Sequence, residues 1–176
     1  MNIKKWRNIS IIFSLILGTI LHFLFEWSGE NAFVGSFSAV NESIWEHLKL
    51  SFFPMLIIAI IGYYLFGKKE PNYIKGNSIG IIFSLVFTVI TFYIYSGIVG
   101  NNFGIVNIII FILSIILGEI ISYKIVGTEK ESDQLIYLLL IIILFIAFIL
   151  FTYFPPKIGI FRDPISGWYG INYLQK

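Results

Sequence analysis

The sequence predicts an all-α polytopic membrane bundle of five transmembrane helices, N-terminus in and C-terminus out, with the second helix kinked at a proline. Three observations carry this. Of 176 residues, 57% are hydrophobic and 12% charged, whereas a soluble domain is roughly a quarter charged. Apolar runs cover about 9–27, 44–66, 79–96, 105–125 and 135–154, each near the roughly 20 residues that cross about 30 Å of hydrocarbon. The breaks between later runs hold turn formers: Gly67-Lys68-Lys69-Glu70-Pro71-Asn72, Gly97 to Gly104, and Gly127 to Asp133. Residues 1–176 therefore read as one domain whose main partner is the lipid bilayer. A net charge of +2 gives no footing for nucleic acid, and the lack of cysteine excludes disulfides and thiolate chemistry. The excess of Ile, Lys and Asn is typical of an AT-rich bacterial genome, which points to a bacterial cell membrane.

The first run follows Lys4-Lys5-Trp6-Arg7, as a signal peptide would. No small-x-small cleavage site follows and the run reaches spanning length, so it reads as a retained helix. Ser10, Ser14, Gly18, His22 and Glu26 recur every four positions as one packing ridge. In the second run Asn41 reads as the helix N-cap, and Glu42, Glu46 and Lys49 then share a face. Pro54 removes a backbone donor and bends that helix. The third run carries Gly80, Ser84, Thr88, Thr91 and Tyr95, and the fourth Asn107, Ser114, Gly118 and Ser122, at packing spacing. The fifth is apolar all round from Leu135 to Phe151 and should be the most lipid-exposed. Pro155-Pro156 stops it, and the tail 155–176 turns at Asp163-Pro164 to fold back over the bundle mouth. Trp27, Trp45 and Trp168 read as interface anchors.

Orientation comes from the basic residues. Lys4, Lys5, Arg7, Lys68, Lys69, Lys75, Lys124 and Lys130 fall on one side, against Lys49, Lys157, Arg162 and Lys176 on the other. Eight against four places the first side in the cytoplasm. Both histidines and Glu26, Glu30, Glu42, Glu46 and Asp163 then lie on the outer side.

Ionisable groups in or beside a bilayer are costly and mark functional sites. Imidazole and carboxylate are ligands for zinc or another divalent metal, and an open coordination position would hold an activated water. His22, Glu26, His47 and Asp163 are the ligands this reading selects. Glu46 is its general base, with Glu42 orienting a ligand beside it, and Asn41 and Arg162 contact the substrate. The activity would be hydrolysis of a lipid or peptidic substrate. No His-Glu-x-x-His motif supports it. A small ion or proton-coupled transporter is the second class, using His22, Glu26 and Glu119, and five spans would then call for a homodimer. A non-catalytic interaction or immunity-type protein is the third. Plainer roles stay open for each residue: Asn41 and Glu42 capping a helix, Glu46 pairing with Lys49, His22 bonding a serine, Asp163 capping its own turn with Arg162 on Glu26, and Glu119 reaching toward Lys124.

The stretches His22-Phe23-Leu24-Phe25-Glu26-Trp27, Phe37 to Lys49 with its Asn41-Glu42-Ser43-Ile44-Trp45-Glu46-His47 core, and Phe154-Pro155-Pro156 with Phe161-Arg162-Asp163-Pro164 and Tyr169-Gly170 resemble a family of small bacterial membrane proteins classed as a domain of unknown function. The resemblance covers most of the chain. It implies a five-span bacterial membrane protein and carries no mechanism.

Overall fold

Each apolar run folds as one helix. The computed structural model describes residues 3–128 and 133–171, so Lys130 and Lys176, counted above for orientation, lie outside the described residues. The helices are α1 (Ile3–Trp27), α2 (Ala32–Gly35), α3 (Ile44–Leu65), α4 (Tyr73–Val99), α5 (Gly104–Ile125) and α6 (Leu135–Tyr153), with 3-10 turns at Gly67–Lys69 and Gly159–Phe161. No β-strand occurs among the described residues. Five helices are long and apolar enough to cross a membrane, which marks a multi-pass membrane protein.

Two helices begin earlier than hydropathy alone places them. The first turns of α1 are held by tertiary contacts: the Trp6 ring meets Phe66 edge-on at 5.6 Å, and the Arg7 guanidinium sits 4.8 Å over Tyr123. The first turn of α4 is capped from a distance, where Gln134 Oε1 accepts from Ile74 N at 2.8 Å and Lys75 N at 3.4 Å. Neither signal lies in the local sequence. The short α2 was not expected either; Asn31 Oδ1 caps it by accepting from Phe33 N at 3.0 Å.

The central helix is α3, with 61% of its apolar window buried against 17–28% for the other four spans. It stays helical through Pro54. Around it stand α1, α4, α5 and α6. Lipid tails are as apolar as leucine, so close packing rather than water release holds such helices together. At the crossing of α4 and α5, a Cβ on Gly80 would lie 2.5 Å from the Gly118 carbonyl, and one on Gly118 2.6 Å from the Gly80 carbonyl. Only glycine fits on either side. On α1 the ridge Ser10, Ser14 and Gly18 is buried as expected, but the buried stripe then moves to Leu21 and Phe25. His22 is left half-buried and Glu26 exposed. The fifth span, α6, is the most lipid-exposed, burying only Ile141, Phe148 and Thr152.

The C-terminus of α1, the N-terminus of α3, the α4–α5 loop and the C-terminus of α6 share one end of the bundle, here called the histidine end. The tail closes over it. Phe161 is buried with its ring 4.8 Å from Trp45 and 5.4 Å from Phe151. Gly170, at φ +55°, reverses the chain against the Thr152 carbonyl, a position any Cβ would fill. Ile171 N then donates to that carbonyl at 3.3 Å. Trp45 is thus a packing residue under the tail, while Trp27 and Trp168 remain exposed.

Candidate functional site

The site starts from how α3 begins. Ser43, not Asn41, is its N-cap: Ser43 Oγ accepts from Glu46 N at 3.4 Å, and Asn41 Oδ1 accepts from Ser43 N one step earlier at 2.9 Å. Glu42 therefore precedes the helix, and its carboxylate leaves the face that Glu46 and Lys49 share. Two ionic clusters result, where one continuous acidic face was expected.

The first cluster joins His22 of α1 to Glu42 and His47, with one ligand atom from each within 4.8 Å of the others. The two imidazole rings are 5.2 Å apart. His47 Nδ1 lies 3.0 Å from the Ser43 carbonyl, and its Nε2 lies 3.5 Å from Glu42 Oε2. A carbonyl only accepts, so Nδ1 carries the hydrogen and a neutral ring turns the Nε2 lone pair toward a carboxylate oxygen. Two acceptors face to face repel. A donor or a cation placed between them removes that repulsion. His22 Nδ1 is buried with no hydrogen-bond partner, a condition that costs free energy unless something else binds there.

The second cluster is sealed. Lys49 and Glu46 are 0% and 1% exposed, with Nζ 2.5 Å from Glu46 Oε2. The ammonium also donates to the Gly35 carbonyl at 2.8 Å, the Ser38 carbonyl at 2.9 Å and Thr152 Oγ1 at 2.7 Å. Val40 N donates to Glu46 Oε2 at 3.2 Å, while the Thr152 hydroxyl donates to the Phe148 carbonyl at 2.8 Å. The ammonium is fully paired, and Glu46 Oε1 has only the Thr152 hydroxyl near it, at 3.4 Å. This is the i,i+3 pair anticipated as the plainer role, and it keeps Glu46 out of the histidine cluster.

The remaining sequence-selected residues divide in the same way. Asp163 is buried, but its carboxylate is spent on its own turn, accepting from Ile165 N at 3.0 Å, Ser166 N at 3.3 Å and the Ser166 hydroxyl. It is not brought to the histidines. Arg162 is exposed on the tail, with its backbone bridged to Tyr169. Asn41 Nδ2 donates to the Gly170 carbonyl at 3.0 Å and so ties the tail down. Glu26 is exposed one turn from His22, close enough to act on it through space. At the opposite end, Glu119 is buried beside Arg7 and Asn77 rather than reaching toward Lys124.

A cavity of about 140 Å³ adjoins the first cluster, walled by Glu42, His47, Ser51, Thr88, Asn107 and Ile165. This is smaller than the roughly 300–1,000 Å³ of pockets that enclose a whole small molecule. The cavity's far wall is braced by hydrogen bonds that sequence reasoning missed. Tyr95 Oη lies 2.6 Å from Asn107 Oδ1 and 2.9 Å from Asn102 Oδ1, and Asn107 Nδ2 donates to Asn102 Oδ1 at 2.8 Å. A signal for them existed, because Tyr95 and Asn107 flank a short loop at the ends of two apolar runs.

Two imidazoles and one carboxylate form the ligand set of many catalytic zinc sites. Metal bonds of 2.0–2.1 Å would bring the ligand atoms to about 3.3 Å apart, so the widest pair needs to close by up to about 1.5 Å from the 4.8 Å spread. Glu42 and His47 keep part of their surface exposed, leaving a way in for an ion.

One family profile, described as "Family of unknown function (DUF6512)", matches residues 1–171. No curated protein and no solved structure matches. The chain belongs to that family of unknown function.

Proposed function

We propose that this member of the DUF6512 family holds a divalent transition metal on His22, His47 and Glu42, and uses it to hydrolyse an ester or amide of a lipid or peptidic substrate. One observation carries the reading: His47 presents Nε2 to the Glu42 carboxylate while its Nδ1 is committed to the Ser43 carbonyl. That hydrogen bond orients the ring as the outer partners of metal-bound histidines do. The orphaned His22 nitrogen supplies the third direction. The 140 Å³ cavity adjoins Glu42 and His47, and a metal held there would supply an acidified water for attack on the scissile group. Glu42 is a ligand here and Glu46 is sealed, so Glu26 is the carboxylate left to take the water's proton. The balance of basic residues favours an orientation with this end outside the cytoplasm.

The test is elemental analysis and zinc titration of protein purified without chelator. One equivalent per chain is expected in the wild type, with binding lost in His22→Ala and His47→Ala and weakened in Glu42→Gln. Glu26→Gln should keep the metal and lose turnover. A wild-type protein that takes up no metal, or one whose binding ignores both histidines, overturns the reading and leaves His47 and Glu42 as an ion pair.

A further inference from the structure

At the end of the bundle opposite the histidines, the helices leave a groove of different character. Near the histidine end α3 and α6 are clamped together by Lys49 on Thr152 and by Phe52 on Phe148, whose rings lie 4.7 Å apart. Toward the other end the same two helices leave a space of about 360 Å³, floored by α4 and lined by Leu56, Ile60, Ile81 and Leu138. Its walls are almost wholly apolar and one side faces the lipid. The space continues past Tyr63, Tyr73 and Ile74, which line both compartments, into a polar one of about 240 Å³ formed by Lys68, Lys69, Glu70 and Gln134.

The charge at that mouth is net positive, two lysines against one carboxylate. Among the described residues neither lysine has a carboxylate within ion-pair distance. The Lys68 ammonium lies 4.7 Å over the Tyr64 ring and 5.8 Å over the Tyr63 ring, which keeps this exposed side chain beside the groove. The N-terminus of α4, a helix of 27 residues, opens on the same place and adds the positive end of its dipole. An apolar slot running into a cationic mouth at the bundle's end matches one ligand chemistry. It is a molecule with a long hydrocarbon chain and an anionic head.

We propose that this groove is a binding site for an anionic phospholipid, with an acyl chain between α3 and α6 and the phosphate on Lys68 and Lys69. Basic pockets between membrane helices hold acidic head groups in this way, through charge at the surface and chain burial below it. The site is independent of the metal reading and lies at the other end of the molecule.

The experiment uses full-length protein in neutral detergent, titrated with phosphatidylglycerol or with phosphatidylcholine of the same chains, and followed by thermal unfolding. Phosphatidylglycerol should bind about 25-fold more tightly at low salt, about fivefold for each of the two lysines, with the preference collapsing as salt screens the contact. The double variant K68Q/K69Q should lose about fivefold in phosphatidylglycerol affinity per lysine and leave phosphatidylcholine unaffected. Leu138→Trp, which fills the slot, should weaken both lipids, and Lys157→Gln at the far end should weaken neither. Equal affinity for the two lipids overturns the proposal, as does full preference in K68Q/K69Q. Unchanged binding in Leu138→Trp, or competition by soluble glycerol phosphate as effective as the lipid itself, rules out the chain in the groove.

Discussion

Eight consecutive residues, Glu42 to Lys49, feed two ionic clusters that could hardly differ more. Glu46 and Lys49 turn inward and pair with each other and with the backbone around them, with no exposed surface to speak of. Glu42 and His47 turn the other way, meet His22 across the α1–α3 interface, and leave one buried His22 nitrogen without a hydrogen-bond partner. Charge near a bilayer is expensive in both places. In the first cluster the expense is offset by the protein itself. In the second the protein's own groups offset it only in part. Unsatisfied valence, not charge as such, separates a structural ion pair from a site.

The sharpest way to break this comparison is Lys49→Met. Removing one partner of a buried pair strands the other, at about 3–5 kcal/mol, because Glu46 keeps only Val40 N as a firm donor. Denaturation in detergent should show that loss. Adding Glu46→Leu to Lys49→Met should recover a good part of it, since apolar pairs of similar volume are tolerated where ion pairs were. Recovery will fall short of complete because the Gly35 and Ser38 carbonyls lose their donor. A single variant as stable as the wild type would mean that the cluster is not the structural one.

The histidine cluster should respond in the opposite way. His47→Ala is expected to leave stability within about 1 kcal/mol, as for a residue outside the sealed core, while zinc affinity falls by at least about a hundredfold through loss of a direct ligand. Acidity gives a second handle. Both imidazoles must be neutral to ligate, so protons compete with the metal and occupancy must fall as the solution is made acidic over the range below neutral pH. Equilibrium dialysis across that range measures it. Occupancy that rises on acidification would contradict the ligand set.

Much of this arrangement was legible in the sequence, and the gaps have definite causes. Hydrocarbon imposes a length on every span, so five runs near 20 residues read directly as helices. Because spans alternate direction, the end of α1 and the start of α3 had to meet, and the two histidines with them. The exact start of α3 was not readable. Asn41 and Ser43 are both good caps, and choosing the first instead of the second rotates Glu42 onto the wrong face, since each helical residue advances about 100°. The burial of Lys49 was hidden for another reason. Its carbonyl partners come from the turn around α2, a four-residue helix without periodicity, and from Thr152 on α6, more than a hundred residues away. Asp163 read as a ligand because an isolated carboxylate beside a proline suits both a turn and a metal. The turn won, since its own amides were nearer than either histidine.

Thr152→Val sharpens the comparison at lower cost. Its hydroxyl accepts from Lys49 and donates to the Phe148 carbonyl, so valine removes an acceptor from a buried ammonium while preserving shape. Hydrogen bonds to charged groups contribute about 1.5–3 kcal/mol, and the lower end is expected here because three other acceptors remain around Nζ. Unfolding should register the loss while zinc binding stays at the wild-type value. A change in metal affinity would instead show that the two clusters communicate through α3.

The smallest effect should come from Asn41→Ala, which touches both clusters at once. Asn41 holds the start of α3 through Ser43 N and holds the tail through the Gly170 carbonyl. Both bonds are only half-buried, so their loss is worth about 1 kcal/mol. The tail carries Ile165, one wall of the cavity beside His47. Loosening it should therefore shorten the residence of bound metal more than it lowers global stability. Hydrogen exchange over residues 159–171, read beside the zinc dissociation rate, separates these outcomes. If exchange quickens and the metal leaves faster while the melting point barely moves, the tail is a cover for the histidine cluster. If the melting point falls and zinc dissociation does not change, Asn41 belongs with Glu46 and Lys49, and the cavity wall stands on Phe161 and Ile171 instead.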